Sequence, residues 1–196
     1  APVFELYGGT LTGFNITSST NRTRVVANQA GVVQIGNNAG NKEAQFNMYG
    51  GTIRDGWAKV AGNVYLGHGT MNMYDGLIEN GTATTGTGGN VRSLTNNGFN
   101  MYGGIISGGV SETGHGGNLY LQTMEIQMLG GRLIDGAGKT SGNVYMTSCT
   151  GKVSDVEFIG GTSGDCGGNI YVTGGTFTMT GGTVTGGTSE HRGGNV

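Results

Sequence analysis

Apolar and polar residues alternate along this chain in short bursts, and the bursts recur in register. In Phe177-Thr178-Met179-Thr180 and in Phe46-Asn47-Met48-Tyr49 the apolar members take every second position, the period of a strand with one buried face. A glycine pair closes each burst, and a further short segment such as Thr183-Val184-Thr185 follows. The burst is repeated as FELYGGTL from Phe4, FNMYGGTI from Phe46, MNMYDGLI from Met71 and FNMYGGII from Phe99. It continues as IQMLGGRL from Ile126 and FTMTGGTV from Phe177.

A second motif runs in phase with the first. Gly-Asn-apolar occurs at Gly62-Asn63-Val64, Gly89-Asn90-Val91, Gly117-Asn118-Leu119, Gly142-Asn143-Val144, Gly168-Asn169-Ile170 and Gly194-Asn195-Val196. The asparagines are 27, 28, 25, 26 and 26 residues apart. A fixed period of this length marks a solenoid. The expected fold is all-β: a single-stranded parallel β-helix of about seven coils, roughly 26 residues each, with three short strands per coil. An antiparallel sandwich could use short strands too, but nothing in it would repeat one register seven times. Stacked coils would, because each residue then lies about 4.8 Å above its equivalent.

Stacking assigns the columns. Phe4, Phe46, Met71, Phe99, Ile126 and Phe177 should point inward together, as should Leu6, Met48, Met73, Met101, Met128, Val153 and Met179. Leu11, Ile53, Ile78, Ile106, Leu133, Phe158 and Val184 line another wall, and Val64, Leu119, Val144 and Ile170 a third. The asparagine column reads as a corner ladder in which each amide bonds to its neighbours above and below. Residues 1–196 form one domain, and the first coil is too long. About 16 extra residues fall within 12–45, around Phe14 to Asn28 and Asn37 to Gln45.

Composition narrows the class further. The chain has 44 glycines, one proline and 11% charged residues. Collagen needs a strict Gly-X-Y period and abundant proline, and flexible linkers lack evenly spaced large apolar residues. Helices are disfavoured, because each interior glycine costs about 1 kcal/mol against alanine. A net charge of −2 gives no polycationic surface, so nucleic acid is not an expected partner. No apolar run is long enough for a membrane span.

The search for chemistry finds little. Asp55 and Asp135 hold equivalent positions three coils apart, with Asn80 and Gly108 between them, too far for paired carboxylates flanking one bond. Glu112, Asp165 and Glu190 share a loop region with His115 and His191, and read as scattered solvated charge. His68, His115 and His191 lack helical or strand-spaced partners, and there is no Cys-x-x-Cys pair. Calcium-binding nonapeptide repeats need aspartates that these glycine pairs lack. No catalytic, cofactor or metal residue is assigned. Cys149 and Cys166 fall about a strand length apart, beyond bridging distance, and read as separate thiols. Sequons at Asn15, Asn21 and Asn80 permit glycosylation.

All eight tyrosines fall in two outward columns. Tyr7, Tyr49, Tyr74 and Tyr102 form one. Tyr65, Tyr120, Tyr145 and Tyr171 form the other, interrupted by Arg92. Such columns can stabilise the ladder, bind sugar rings or bury themselves against another chain.

The string GGNIYVTGGTFTMTGGTVTGG, Gly167 to Gly187, resembles the Gly-rich right-handed β-helix repeats of bacterial cell-surface proteins. The likeness extends from Phe46 to Val196. It implies a right-handed coil and an extracellular, adhesive or structural role, and carries over no functional residue. The chain also starts at one strand of a coil (Phe4, Leu6) and stops inside another (Asn195, Val196). The expectation is head-to-tail association of the protein with itself into a filament or surface fibre. The alternative is a carbohydrate-binding or polysaccharide-degrading β-helix.

Overall fold

The computed structural model describes residues 2–16, 22–24, 26–36, 44–95 and 97–196. Among them there is no helix. The chain winds as a parallel β-solenoid with three sheets. One turn, followed from Val64, shows the logic. Strand Val64–Leu66 runs to a bend at Gly67-His68, and Gly69–Met73 continues in the same sheet. Leu77–Glu79 lies in the second sheet and Thr82–Ala83 in the third. Each strand pairs in parallel with its counterpart one coil away, so the repeat spacing in the sequence is the sheet register. Val64 pairs with Val91, Val91 with Leu119, Leu119 with Val144, and Val144 with Ile170.

The second and third sheets each contain seven strands, which makes about six complete turns. The two bursts expected as separate strands occupy one sheet, and in the last coils they fuse into ten-residue strands, Val144–Val153 and Ile170–Met179. The third sheet was not visible in the pattern. Its strands reach only two residues in several coils, as in Thr82–Ala83 and Thr162–Ser163, too short to show alternation.

The inward columns fill the interior. Phe46, Phe99, Phe158, Met48, Met73, Met101, Ile53, Ile78 and Ile106 are completely buried. Burial of a side chain of this size contributes about 1.5–3 kcal/mol. The methionines also meet the corner glycines. A Cβ on Gly76 would come within 2.6 Å of the Met48 methyl, and one on Gly104 within 2.6 Å of the Met73 methyl. Both glycines have positive φ, 103° and 83°, so conformation and space require glycine there together. At the open coils the burial fades: Phe4 is 39% and Met179 36% exposed.

The overlong first coil contains an antiparallel hairpin, Phe14–Ile16 with Arg22–Arg24. The chain then rejoins the third sheet at Val26–Ala27 and the first at Val33–Ile35. Residues 37–43 lie outside the described set. Ala44 and Gln45, which the spacing placed in the inserted stretch, already belong to strand Ala44–Met48 and pair with Gly69 and Thr70.

Candidate functional site

The Gly-Asn motif places an asparagine at the corner before the first sheet in six successive coils, from Asn63 to Asn195, where the first coil has Val32, and these amides form a continuous chain. Asn63 donates from Nδ2 to Oδ1 of Asn90 at 2.7 Å, Asn90 to Asn118 at 2.7 Å, and Asn118 to Asn143 at 2.6 Å. Asn143 donates to Asn169 at 2.6 Å and Asn169 to Asn195 at 2.9 Å. The remaining bonding capacity is also used. Each Oδ1 accepts a backbone N–H from a neighbouring glycine, as from Gly109 to Asn118, and each interior Nδ2 donates to a carbonyl such as that of Ile134. Asn63, Asn90, Asn118, Asn143 and Asn169 are fully buried. A buried polar network is favourable only when every member is satisfied, and this one is.

A second amide ladder escaped the sequence reading. On the outer face, Asn72 donates to Asn47 and Asn100 to Asn72, both at 2.8 Å. Two residues further along each strand stand Tyr49, Tyr74 and Tyr102, so an amide row and a phenol row run side by side. The signal was present: Asn recurs in the FNMY and MNMY bursts.

The first tyrosine column is a stack. Ring centroids are 4.8 Å apart for Tyr7–Tyr49 and Tyr49–Tyr74, and 5.0 Å for Tyr74–Tyr102, with interplanar angles of 15°, 6° and 10°. All four rings are exposed. Tyr49 and Tyr74, however, have a ring against each face, while Tyr7 and Tyr102 each stack on one ring of the column. Tyr7 donates its hydroxyl to Glu5 Oε2 at 3.3 Å, and the Glu5 charge raises the Tyr7 phenol above its ordinary pKa.

The second column corrects the expectation of exposure. Tyr65 is buried, at 3% exposure, and Tyr120, Tyr145 and Tyr171 are half-buried. Arg92 is a member of the stack, its guanidinium carbon 6.0 Å from the Tyr65 ring centre and 5.7 Å from that of Tyr120. A planar cation there replaces a ring without breaking the column. Tyr145 stacks on Tyr120 and Tyr171 at 5.3 Å, and the His115 ring lies 4.6 Å from it. Outward-pointing residues in a stacked column are covered by the coils above and below. Burial lowers the His115 pKa, with the Lys139 charge acting in the same sense.

The carboxylates do not converge. Asp55, Asn80, Gly108, Asp135, Gly160 and Gly186 occupy one turn between the second and third sheets, with φ of 58°, 54°, 61°, 51°, 66° and 65°. Asp and Asn are among the few residues that tolerate this left-handed conformation; their recurrence is a backbone requirement. Asp75 accepts the Gly76 N–H, a local turn bond. No group of three or more His, Cys, Asp or Glu among the described residues is placed to hold a metal ion. Cys149 is buried, Cys166 is partly exposed and both are free; burial raises both thiols. Of the sequons, Asn80 is exposed at its turn. Asn21 lies outside the described residues, and Asn15 lies on the hairpin strand Phe14–Ile16.

Of the residues named for assembly, Phe4, Leu6 and Asn195 join the stack. Phe4 packs on Phe46 with centroids 5.2 Å apart, Leu6 is buried, and Asn195 ends the described ladder, while Val196 is exposed. A shallow groove of about 700 Å³ follows the bend of the first sheet, lined by Thr70, Asn100, Glu125, Gln127 and Thr150 among others. Glu125 is the one carboxylate among the described residues that line it. No helix among the described residues is long and apolar enough to cross a membrane.

No protein-family model, curated protein or solved structure matches this chain.

Proposed function

We propose that this chain is an extracellular structural β-solenoid that associates with copies of itself, coil upon coil, into a filament or surface fibre. The observation that carries the reading is the repeat of one contact. Coil after coil meets the next in parallel register, and from Asn63 to Asn195 each contact repeats the same amide-to-amide bond. One face of a ladder-bearing coil is therefore complementary to the opposite face of another, and the first coil, with Val32 in place of the asparagine, offers the register and the inward columns alone. A contact between unlike faces of identical units, stacked along one axis, propagates as an open filament and closes no ring. The resemblance to bacterial cell-surface repeats supports an extracellular setting.

The columns favour this reading over sugar binding along the tyrosines. Sugar rings pack on aromatic faces, and the faces of Tyr49, Tyr74 and Tyr145 are occupied by neighbouring rings, those of Tyr120 by the Tyr145 ring and the Arg92 guanidinium. Carbohydrate remains the second reading because the groove beside Thr70, Asn100, Gln127 and Thr150 presents hydroxyls and amides to solvent.

Light scattering of the purified chain over a concentration series tests the proposal. Mass that rises with concentration supports coil-on-coil association. A monomer at every concentration that binds soluble polysaccharide would favour the second reading.

A further inference from the structure

The exposed tyrosine column has a reactivity that folding does not require. Four phenols lie parallel at 4.8–5.0 Å on a rigid sheet face, each accessible to solvent. Near-parallel stacking sets the ortho carbons of each ring beside those of the next. Each ring follows directly on a parallel-paired strand, Val3–Leu6, Ala44–Met48, Gly69–Met73 or Gly98–Met101, and the backbone N–H of Tyr49, Tyr74 and Tyr102 bonds to the preceding coil at 2.8 Å. One phenol, Tyr7, is hydrogen-bonded to a carboxylate, Glu5, at 3.3 Å.

We propose that the Tyr7–Tyr49–Tyr74–Tyr102 column is a site of oxidative cross-linking, forming dityrosine between adjacent coils, and that Tyr7–Tyr49 is the pair joined first. The oxidant is a peroxide acting through a haem peroxidase. Each of two neighbouring phenols loses one electron to the oxidant and its hydroxyl proton to a base. The two radicals pair at their ortho carbons, forming one carbon–carbon bond. Each ring then moves its ortho hydrogen to its oxygen as a proton and regains aromaticity. Two hydrogen atoms leave in all, and one peroxide becomes two waters.

Glu5 selects the first pair. Phenols are protonated at neutral pH, so electron loss from any ring of the column is accompanied by proton loss, and at Tyr7 the acceptor, Glu5 Oε2, is already hydrogen-bonded in place. A positioned proton acceptor accelerates such a step. Tyr49 is the adjacent ring, its plane 15° from that of Tyr7. The second column contrasts with this one: Tyr65 is buried and separated from Tyr120 by Arg92. This inference stands independently of self-association, since the bond forms within one chain.

The test treats the purified chain at low concentration with hydrogen peroxide and a haem peroxidase, followed by peptide mass spectrometry. The expected product is a monomer lighter by two hydrogen atoms, with the Tyr7 peptide joined to the Tyr49 peptide. Tyr7→Phe, which keeps the ring stack, abolishes that link, and Glu5→Gln slows its formation severalfold with unchanged circular dichroism. Absence of dityrosine, links found only between chains, or links spread equally over both columns would overturn the proposal. So would a Glu5→Gln variant that reacts at the rate of the parent.

Discussion

Asn118 donates its amide to Oδ1 of Asn143 at 2.6 Å and to the Ile134 carbonyl at 2.9 Å, while its own Oδ1 accepts from Asn90 at 2.7 Å and from Gly109 at 2.9 Å. All four bonds are made by one fully buried side chain, and each leads to a different strand or turn. Asn118→Ala leaves an Asn90 amide N–H and the Gly109 N–H without partners and removes one of the two bonds at Asn143 Oδ1 and at the Ile134 carbonyl. It should cost about 3–4 kcal/mol, read from chemical denaturation. Asn118→Asp removes both donors and sets a carboxylate against two oxygens. At neutral pH it should destabilise more than alanine, and it should recover part of the loss as acid protonates it.

The left-handed turn column separates a backbone requirement from a catalytic one. Asp135 has φ of 51°, so Asp135→Gly should leave stability unchanged or raise it by up to about 1 kcal/mol. Gly89→Ala makes the opposite case. Its new Cβ would strike the Gly117 carbonyl oxygen and the Val110 nitrogen, both backbone atoms that cannot move aside. A loss above about 3 kcal/mol is expected, and thermal unfolding of the two variants checks the contrast.

Arg92 is a packing residue in a column of rings. Arg92→Ala removes a plane between Tyr65 and Tyr120 and should destabilise by about 1–2 kcal/mol. Arg92→Tyr restores a stacked ring and should recover most of that loss. Urea denaturation of the three proteins measures both effects.

His115 makes stability depend on pH in a predictable sense. Its pKa is lowered in the folded protein by burial and by Lys139, so the folded state holds its proton less tightly than the unfolded state. The stabilisation of the neutral ring is complete above the unfolded pKa of about 6.5 and is lost as pH falls through that value toward the folded one. His115→Phe keeps a ring beside Tyr145 and removes the titration. Melting temperatures taken from about pH 7.5 to 5.5 should decline less in the variant than in the parent.

Much of this fold is legible because coil stacking turns spacing into contact. The interval between Asn118 and Asn143 is the register of the sheets, and the alternation at Phe46-Asn47-Met48 separates core from surface. Legibility ends where a position depends on two or three residues. Thr82–Ala83 forms a strand of the third sheet through its place between two corners, with no pattern of its own. Burial of Tyr65 was hidden for another reason. Alternation reports which way a side chain points, whereas exposure depends on what the next coil lays over it, here Arg92. Asp55 and Asp135 suggested chemistry only until their backbone angles showed why a short polar residue recurs there.

The central claim is that one coil is built to lie on another, between chains as within one. Electron microscopy with diffraction from concentrated, purified protein tests it most directly. The account predicts fibres one solenoid wide whose axial reflection corresponds to the inter-strand spacing of about 4.8 Å, directed along the fibre. Dispersed particles at every concentration would contradict it, as would fibres whose strands run parallel to the fibre axis.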